Sequence, residues 1–133
     1  MNTSIRTIKS PVDKVSAYLF KEDRLQESEY APILVHIDTI DTVIDYKNNT
    51  ALLDSLMTAG LQTPIVIVNN TEENYTYITQ NKNTEKRESN KPFLCYSGNQ
   101  RLAAVKKLGY DTVHCIFVED VHWAHAVHLV LNK

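Results

Sequence analysis

The sequence has little of what disulfide-rich and membrane proteins need. Among 133 residues there are three glycines and two cysteines, and no apolar run approaches the length of a membrane span. Cys95 and Cys115 each lie in an apolar, strand-like run, so we expect two buried, reduced thiols and no disulfide framework. The first residues, MNTSIRTIKSP, lack the apolar core of a signal peptide. These absences predict a cytoplasmic protein that does not enter a membrane.

An excess of charge of one sign is also missing. Fourteen Lys and Arg residues stand against 16 Asp and Glu residues, which gives a net charge of −2. Such a chain has no overall field that would attract nucleic acid or an anionic membrane, so any binding to a polyanion needs a local patch. The hydrophobic content of 43% and the length suit one globular domain with a substantial core.

Apolar periodicity and turn residues predict the element order helix-β-α-β-β-β-α-β-α, an α+β or mixed α/β pattern. Ser10 as N-cap, Pro11 at the first helical position and the stripe Val12, Val15 and Leu19 predict an N-terminal helix. A charged, solvated run follows to Glu29. Strands are predicted in PILVHIDTI, TPIVIVNN, NYTYIT, FLCYS and DTVHCIFVED, and helices in NNTALLDSLMTAG, NQRLAAVKKLG and VHWAHAVHLVLNK.

The stretch SGNQR is the feature with the clearest chemical meaning. Gly98 stands where a strand becomes a helix, and a helix start offers unpaired N–H groups and the positive end of the helix dipole to an anion. Arg101 lies four residues before Val105 and seven before Leu108, so it should project toward the buried side of that helix. An inward-facing arginine there calls for an anionic partner, which is either a ligand phosphate or an internal carboxylate.

Three stretches together resemble the ParB/sulfiredoxin superfamily, and in particular the ParB-like N-terminal (ParB-like nuclease) domain. These are PILVHIDTID, LLDSLMTAGLQTPIVIV and YSGNQRLAAVKKLGYDTVHCIFVED, in the family's order and spacing apart from a longer loop before Lys91. The resemblance implies a small mixed sheet flanked by helices. It covers roughly residues 32–131, so we divide the chain into an N-terminal helical extension, residues 1–31, and a ParB-like domain, residues 32–133.

The resemblance also implies a ligand, CTP or ATP with magnesium. In ParB proteins a Gly-Glu-Arg-Arg box holds the nucleotide triphosphate, and sulfiredoxins have Gly-Cys-His-Arg at the same point. Gly98 and Arg101 match both boxes, while Asn99 replaces the glutamate or cysteine and Gln100 replaces the first arginine or the histidine. A second wall of the family pocket matches Gly60, Leu61 and Pro64.

The departures from the family pattern narrow the expected chemistry. Asn99 can serve neither as the sulfiredoxin nucleophile nor as a carboxylate base. The chain as given ends where a third nucleotide-contacting box would begin, so we expect no helix-turn-helix and no sequence-specific DNA binding. The leading hypothesis is a domain that binds a nucleotide or other phosphate ligand, as an accessory protein of a phage or mobile element in a bacterial or infected cytoplasm. One alternative is a non-enzymatic protein-interaction module with a vestigial pocket, which acts through a homodimer or a host partner and makes that contact with its N-terminal extension. The weaker alternative is a ParB-like nuclease or DNA-modification accessory.

Two acidic and three histidine side chains are candidate metal ligands. Glu119 and Asp120 follow a strand and could help to hold magnesium, but a strand end or the N-cap of the last helix explains them as well. His122, His125 and His128 recur every three residues, and a partly exposed polar edge of a helix accounts for that spacing. The sequence predicts no firm metal site.

Overall fold

The computed structural model describes residues 6–8, 12–21, 23–43, 50–61, 63–80 and 89–132. Within these ranges the strands are β1 (Thr7–Ile8), β2 (Val15–Lys21), β3 (Arg24–Tyr30), β4 (Ile33–His36), β5 (Ile40–Asp41), β6 (Ile65–Asn69), β7 (Phe93–Ser97) and β8 (Thr112–Phe117). The α-helices are α1 (Thr50–Ala59), α2 (Glu72–Thr79), α3 (Asn99–Lys107) and α4 (Val121–Leu131). No helix in these ranges combines the length and the apolar character needed to cross a bilayer.

A six-stranded mixed sheet forms the centre of the fold. Its strand order is β1-β8-β6-β7-β5, and β4 pairs with β8 in addition. Strand β6 is antiparallel to β7 and parallel to β8, while β4 is antiparallel to β8. Strands β2 and β3 form a separate antiparallel hairpin. The predicted fold class, a mixed α/β chain with a small mixed sheet flanked by helices, is confirmed.

Both faces of the sheet are covered by apolar side chains. Strand β6 shows why, because its first four residues are buried and successive side chains point to opposite faces. Ile65 and Ile67 pack in a cluster with residues of α1 and α3, whereas Val66 and Val68 pack in a second cluster with residues of α2, α4 and β2. A strand buried on both faces reads as a continuous apolar run, which explains why TPIVIVNN was predicted correctly.

The predicted N-terminal helix is wrong. Strands β2 (Val15–Lys21) and β3 (Arg24–Tyr30) pair as a hairpin, in which Val15 and Ala17 are buried in the same cluster as residues of α4. The alternate side chains, Ser16 and Tyr18, are less buried, and Tyr18 is exposed. The buried side chains of this segment therefore recur every two residues, as in a strand, and not every 3.6 residues, as in a helix. The charged run predicted to be solvated is an exposed strand from Arg24 onward. Ser10 and Pro11 lie outside the described residues, and the division at residue 31 stays a prediction.

The stretch NYTYIT is helical, so the strand predicted there is also wrong. It belongs to α2, whose N-cap Thr71 accepts a hydrogen bond from the Asn74 backbone N–H at 3.1 Å. Glu72 and Glu73 in the first turn suit the positive end of the helix dipole. Tyr75 anchors this helix in the second apolar cluster.

The other predicted elements are present. The helices α1, α3 and α4 and the strands β6, β7 and β8 lie in the stretches predicted for them. PILVHIDTI is interrupted, because a 3-10 turn at Ile37–Thr39 separates β4 from β5. Gly60 and Gly109 follow α1 and α3 with φ of 74° and 80°, the left-handed conformation that ends helices.

Candidate functional site

The turn between β7 and α3 is tightly packed against β6. Gly98 precedes the first residue of α3 and has φ 92° and ψ 23°, a left-handed conformation that glycine adopts without strain. Its carbonyl accepts the first hydrogen bond of the helix, from Leu102 N at 2.8 Å. A Cβ atom on Gly98 would lie 3.1 Å from Ile65 Cγ1 and 3.5 Å from Arg101 Nε. Backbone conformation and close approach therefore both require glycine.

Arg101 lies half-buried at the start of α3, as its place on the helix predicted. Its Nη1 donates a hydrogen bond of 3.0 Å to the Thr63 carbonyl, so the guanidinium joins α3 to the segment between α1 and β6. Burial lowers the pKa of Arg101, which means that the charged form is incompletely solvated. Among the described residues no carboxylate forms an ion pair with it. The internal partner is thus a carbonyl and not a carboxylate.

A cleft of about 370 Å³ opens beside this turn. Leu52 of α1, Gly98, Gln100 and Arg101 at the start of α3, and Asn132 just after α4 line it. Residues of α1, of α3 and just after α4 therefore form one small cleft, in which Arg101 supplies the positive charge. Leu52 and Asn132 were not predicted as site residues, because their approach to Gly98 depends on tertiary packing that leaves no local pattern in the sequence.

His128 on α4 is close enough to the cleft that the charge of Arg101 affects its pKa. Burial lowers the pKa of His128, and the neighbouring His125 and the positive charge of Arg101 lower it further. His125 and His128 also stack, with ring centroids 6.2 Å apart. The neutral imidazole is the form that this environment favours.

Two polar atoms on either side of Gly98 are buried and have no hydrogen-bond partner, Ser97 Oγ and Asn99 Oδ1. Unpaired buried polar atoms are uncommon in folded proteins and each calls for a reason. Here they flank the turn that combines the left-handed Gly98 with the half-buried Arg101. Neither residue lines the cleft itself.

The residues predicted to form a second wall of the pocket, Gly60, Leu61 and Pro64, do not line the described cleft. Gly60 ends α1, and Leu61 and Pro64 are buried. Leu61 belongs to the core cluster between the sheet and α1 and α3. This segment is joined to the turn through Thr63, whose carbonyl accepts a hydrogen bond from Arg101.

Glu119 and Asp120 lie at the other end of the sheet. In the strand register Val66 pairs with Ser97, while Asn69 pairs with Phe93 and Ile67 with Phe117. The residues after Phe117 are thus level with the start of β7. Gly98 follows the other end of β7, so the two places are roughly 13 Å apart along the strand direction, at about 3.3 Å per residue. Asp120 caps α4 by accepting from His122 N at 3.0 Å. In the part of the chain that the structure describes, no three His, Cys, Asp or Glu side chains are grouped to hold a metal ion.

The cysteines are buried and free, as predicted. Burial raises the pKa of Cys95 to about 12 and raises that of Cys115 as well. Cys95 donates a hydrogen bond from its thiol to the Ser97 carbonyl at 3.4 Å. A buried thiol with a raised pKa is a poor nucleophile, so neither cysteine is suited to nucleophilic chemistry in this structure.

Comparison with known proteins gives a structural likeness and no family assignment. No protein-family model and no curated protein matches the sequence. The chain is similar to sulfiredoxin from Arabidopsis thaliana, with a TM-score of 0.44 and 23% identity over 67% of this chain and 88% of that one. At this level of similarity, nothing about activity, ligand or partner follows for the present chain.

Proposed function

We propose that the turn at Gly98–Arg101 binds the phosphate group of a nucleotide or of another phosphate ligand. The observation that carries the proposal is the half-buried Arg101 guanidinium, which lines an open cleft and has no carboxylate partner among the described residues. A partly desolvated cation is unfavourable until an anion neutralises it. A phosphate in the cleft would supply that anion.

The local geometry offers further donors to such a ligand. The bond to Thr63 uses one of the five N–H groups of the arginine fork. The first N–H groups of α3 are at the positive end of the helix dipole, and Gly98 presents no side chain between them and the cleft. Gln100 adds a neutral amide. Nothing at the turn supplies a base, so the proposal is binding without hydrolysis.

CTP and ATP with magnesium are the ligands that the family resemblance suggests, and calorimetry distinguishes them from phosphate alone. The protein is titrated with inorganic phosphate, CTP and ATP, each with and without magnesium. We expect heat for at least one of them, and affinity reduced about tenfold or more, equivalent to about 1.4 kcal/mol, in Arg101→Ala.

The control variant is Lys107→Ala. Lys107 is exposed on the same helix, so its removal changes net charge equally and leaves the cleft intact. Thermal unfolding of both variants shows whether either has lost its fold. Absence of heat with every ligand, or equal weakening by both substitutions, would contradict the proposal.

The second candidate function is self-association through the N-terminal hairpin. Phe20 and Leu25 face each other across the two strands and are 70% and 63% exposed. Large apolar side chains clustered at a surface favour a protein contact. Removal of residues 1–31 would take buried Val15 and Ala17 out of the core, so a point substitution is the better test.

Light scattering after size exclusion measures the mass of wild type and of Leu25→Glu. We expect a dimer that Leu25→Glu converts to a monomer. Met57→Glu is the matched control, because Met57 is an equally exposed apolar residue on α1. A monomeric wild type, or equal effects of the two substitutions, would exclude the hairpin as a dimer contact.

A further inference from the structure

A second concavity is distinct from the Arg101 cleft. It has a volume of about 1000 Å³ and lies between the hairpin strand β2 and the helices α2 and α4. Tyr96 of β7 contributes its floor from the sheet face that carries the α4 cluster. Cys95, the preceding residue, packs on the opposite face with α1 and α3. This volume suits a small-molecule site.

The cavity is lined by aromatic rings. Tyr77 of α2 and His122 of α4 meet edge to face, with centroids 4.8 Å apart and an interplanar angle of 65°. Tyr18 and Phe20 of β2 line the same space and are 55% and 70% exposed. Aromatic faces attract flat ligands by stacking and edge-to-face contact, and this energy adds to the burial of apolar area.

Two imidazoles are among the polar groups that line the cavity, and each has a neighbour within hydrogen-bond distance. Asp120 Oδ1 lies 2.8 Å from His122 Nδ1, and a carboxylate oxygen only accepts, so Nδ1 carries the proton. In the neutral ring, Nε2 is then an acceptor. Tyr96 Oη lies 3.4 Å from His125 Nδ1, which orients the second ring. A ligand with an N–H donor would find a prepared acceptor in His122.

The charge of the cavity selects against anions. Among its described lining residues, Asp120 is the one with a formal charge when the histidines are neutral, and no lysine or arginine lines it. A negative charge surrounded by aromatic faces favours a neutral or cationic ligand, since the ring faces are themselves electron-rich. This preference is the reverse of that expected at Arg101.

We infer that this cavity binds a small planar heteroaromatic ligand, neutral or cationic, that donates a hydrogen bond to His122. The inference is independent of the phosphate site, because the two places share no lining residue. It combines three observations: a cavity of ligand size, aromatic walls that include the edge-to-face pair of Tyr77 and His122, and an imidazole whose tautomer Asp120 sets.

Three probes that share one ring test the charge preference. Nicotinamide is neutral, 1-methylnicotinamide is a cation, and nicotinate is an anion of similar size. Aromatic proton and carbon spectra follow the signals of Tyr77, Tyr96 and His122 during each titration. We expect the amides to shift these signals with a dissociation constant on the order of a millimolar, and nicotinate to bind at least about tenfold more weakly.

Variants separate this cavity from other surfaces. His122→Ala and Tyr77→Leu should each weaken nicotinamide binding, whereas His36→Ala and Arg101→Ala should not. His36 is an exposed histidine that does not line the cavity. His122 is 62% exposed, so its removal is expected to leave the fold intact. Unshifted signals with all three probes would overturn the inference, as would binding of nicotinate equal to that of the amides.

Discussion

The substitution Gly98→Ala should destabilise the protein through two separable effects. The first is backbone conformation, since a left-handed φ of 92° costs an L-residue about 1 to 2 kcal/mol. The second is packing, because the new Cβ would lie 3.1 Å from Ile65 Cγ1 and 3.4 Å from Ile65 Cα. Ile65 is fully buried in β6 and cannot move aside without disturbing the sheet, and overpacking of this kind costs about 1 to 3 kcal/mol.

Gly109→Ala isolates the first effect. Gly109 has φ 80°, and the nearest atom to its added Cβ is Arg6 Nη1 at 3.6 Å, an ordinary contact with an exposed side chain. Urea unfolding should therefore give a loss of about 1 to 2 kcal/mol for Gly109→Ala, from conformation alone. Gly98→Ala should lose about 2 to 5 kcal/mol, the sum of the two ranges.

The informative quantity is the difference in the free energy of unfolding between the two variants, because it removes the conformational contribution that they share. Thermal midpoints should differ in the same direction, by roughly 4 °C for each kcal/mol. Equal losses would refute the close approach of the turn to β6. No loss in either variant would refute the left-handed conformation at both positions.

Three further predictions concern single groups. Cys95 and Cys115 should not react with a thiol reagent in the native protein and should react on unfolding in urea, because both are buried with raised pKa values; fast native labelling would contradict this. The folded-state pKa of His128 is lowered, so the unfolded chain binds more protons below about pH 6.5, and stability should fall as pH decreases through that value. His128→Asn should reduce this dependence of the free energy of unfolding on pH, measured by urea unfolding at several pH values. An unchanged dependence would show that another group causes it. Thr71→Ala should cost about 1 kcal/mol by removing the α2 cap, and Thr71→Ser should restore most of it; equal losses would exclude the cap.

The elements that the sequence predicted correctly are those in which local pattern and tertiary burial agree. Strands β6 and β7 are apolar runs of strand length, and α1 and α3 end where Gly60 and Gly109 permit a left-handed residue. Arg101 faces inward because the apolar stripe of α3 fixes the rotation of that helix. These features depend on near neighbours in the chain.

The failures occur where two periods fit the same residues. Val15 and Leu19 are four apart, which satisfies a helix, and they are also two steps of two apart, which satisfies a strand. The burial of Ala17, which lies between them, distinguishes the strand from the helix. In a sequence, however, an alanine alone is a weak indicator of burial. The burial of Ala17 depends on α4, more than one hundred residues later in the chain. The two tyrosines of NYTYIT gave a false alternation in the same way.

Helix α4 shows why histidines at steps of three do not form one site. Each step of three residues turns the side chain by about 60° from the previous one, and the helix rises about 1.5 Å per residue. His122 and His125 at the start of α4 line the aromatic cavity, while Asn132, about 15 Å further along, lines the Arg101 cleft. His128 lies between them and senses both His125 and Arg101. Helix α4 therefore contributes to two separate concavities, and a substitution in α4 has to be tested at both.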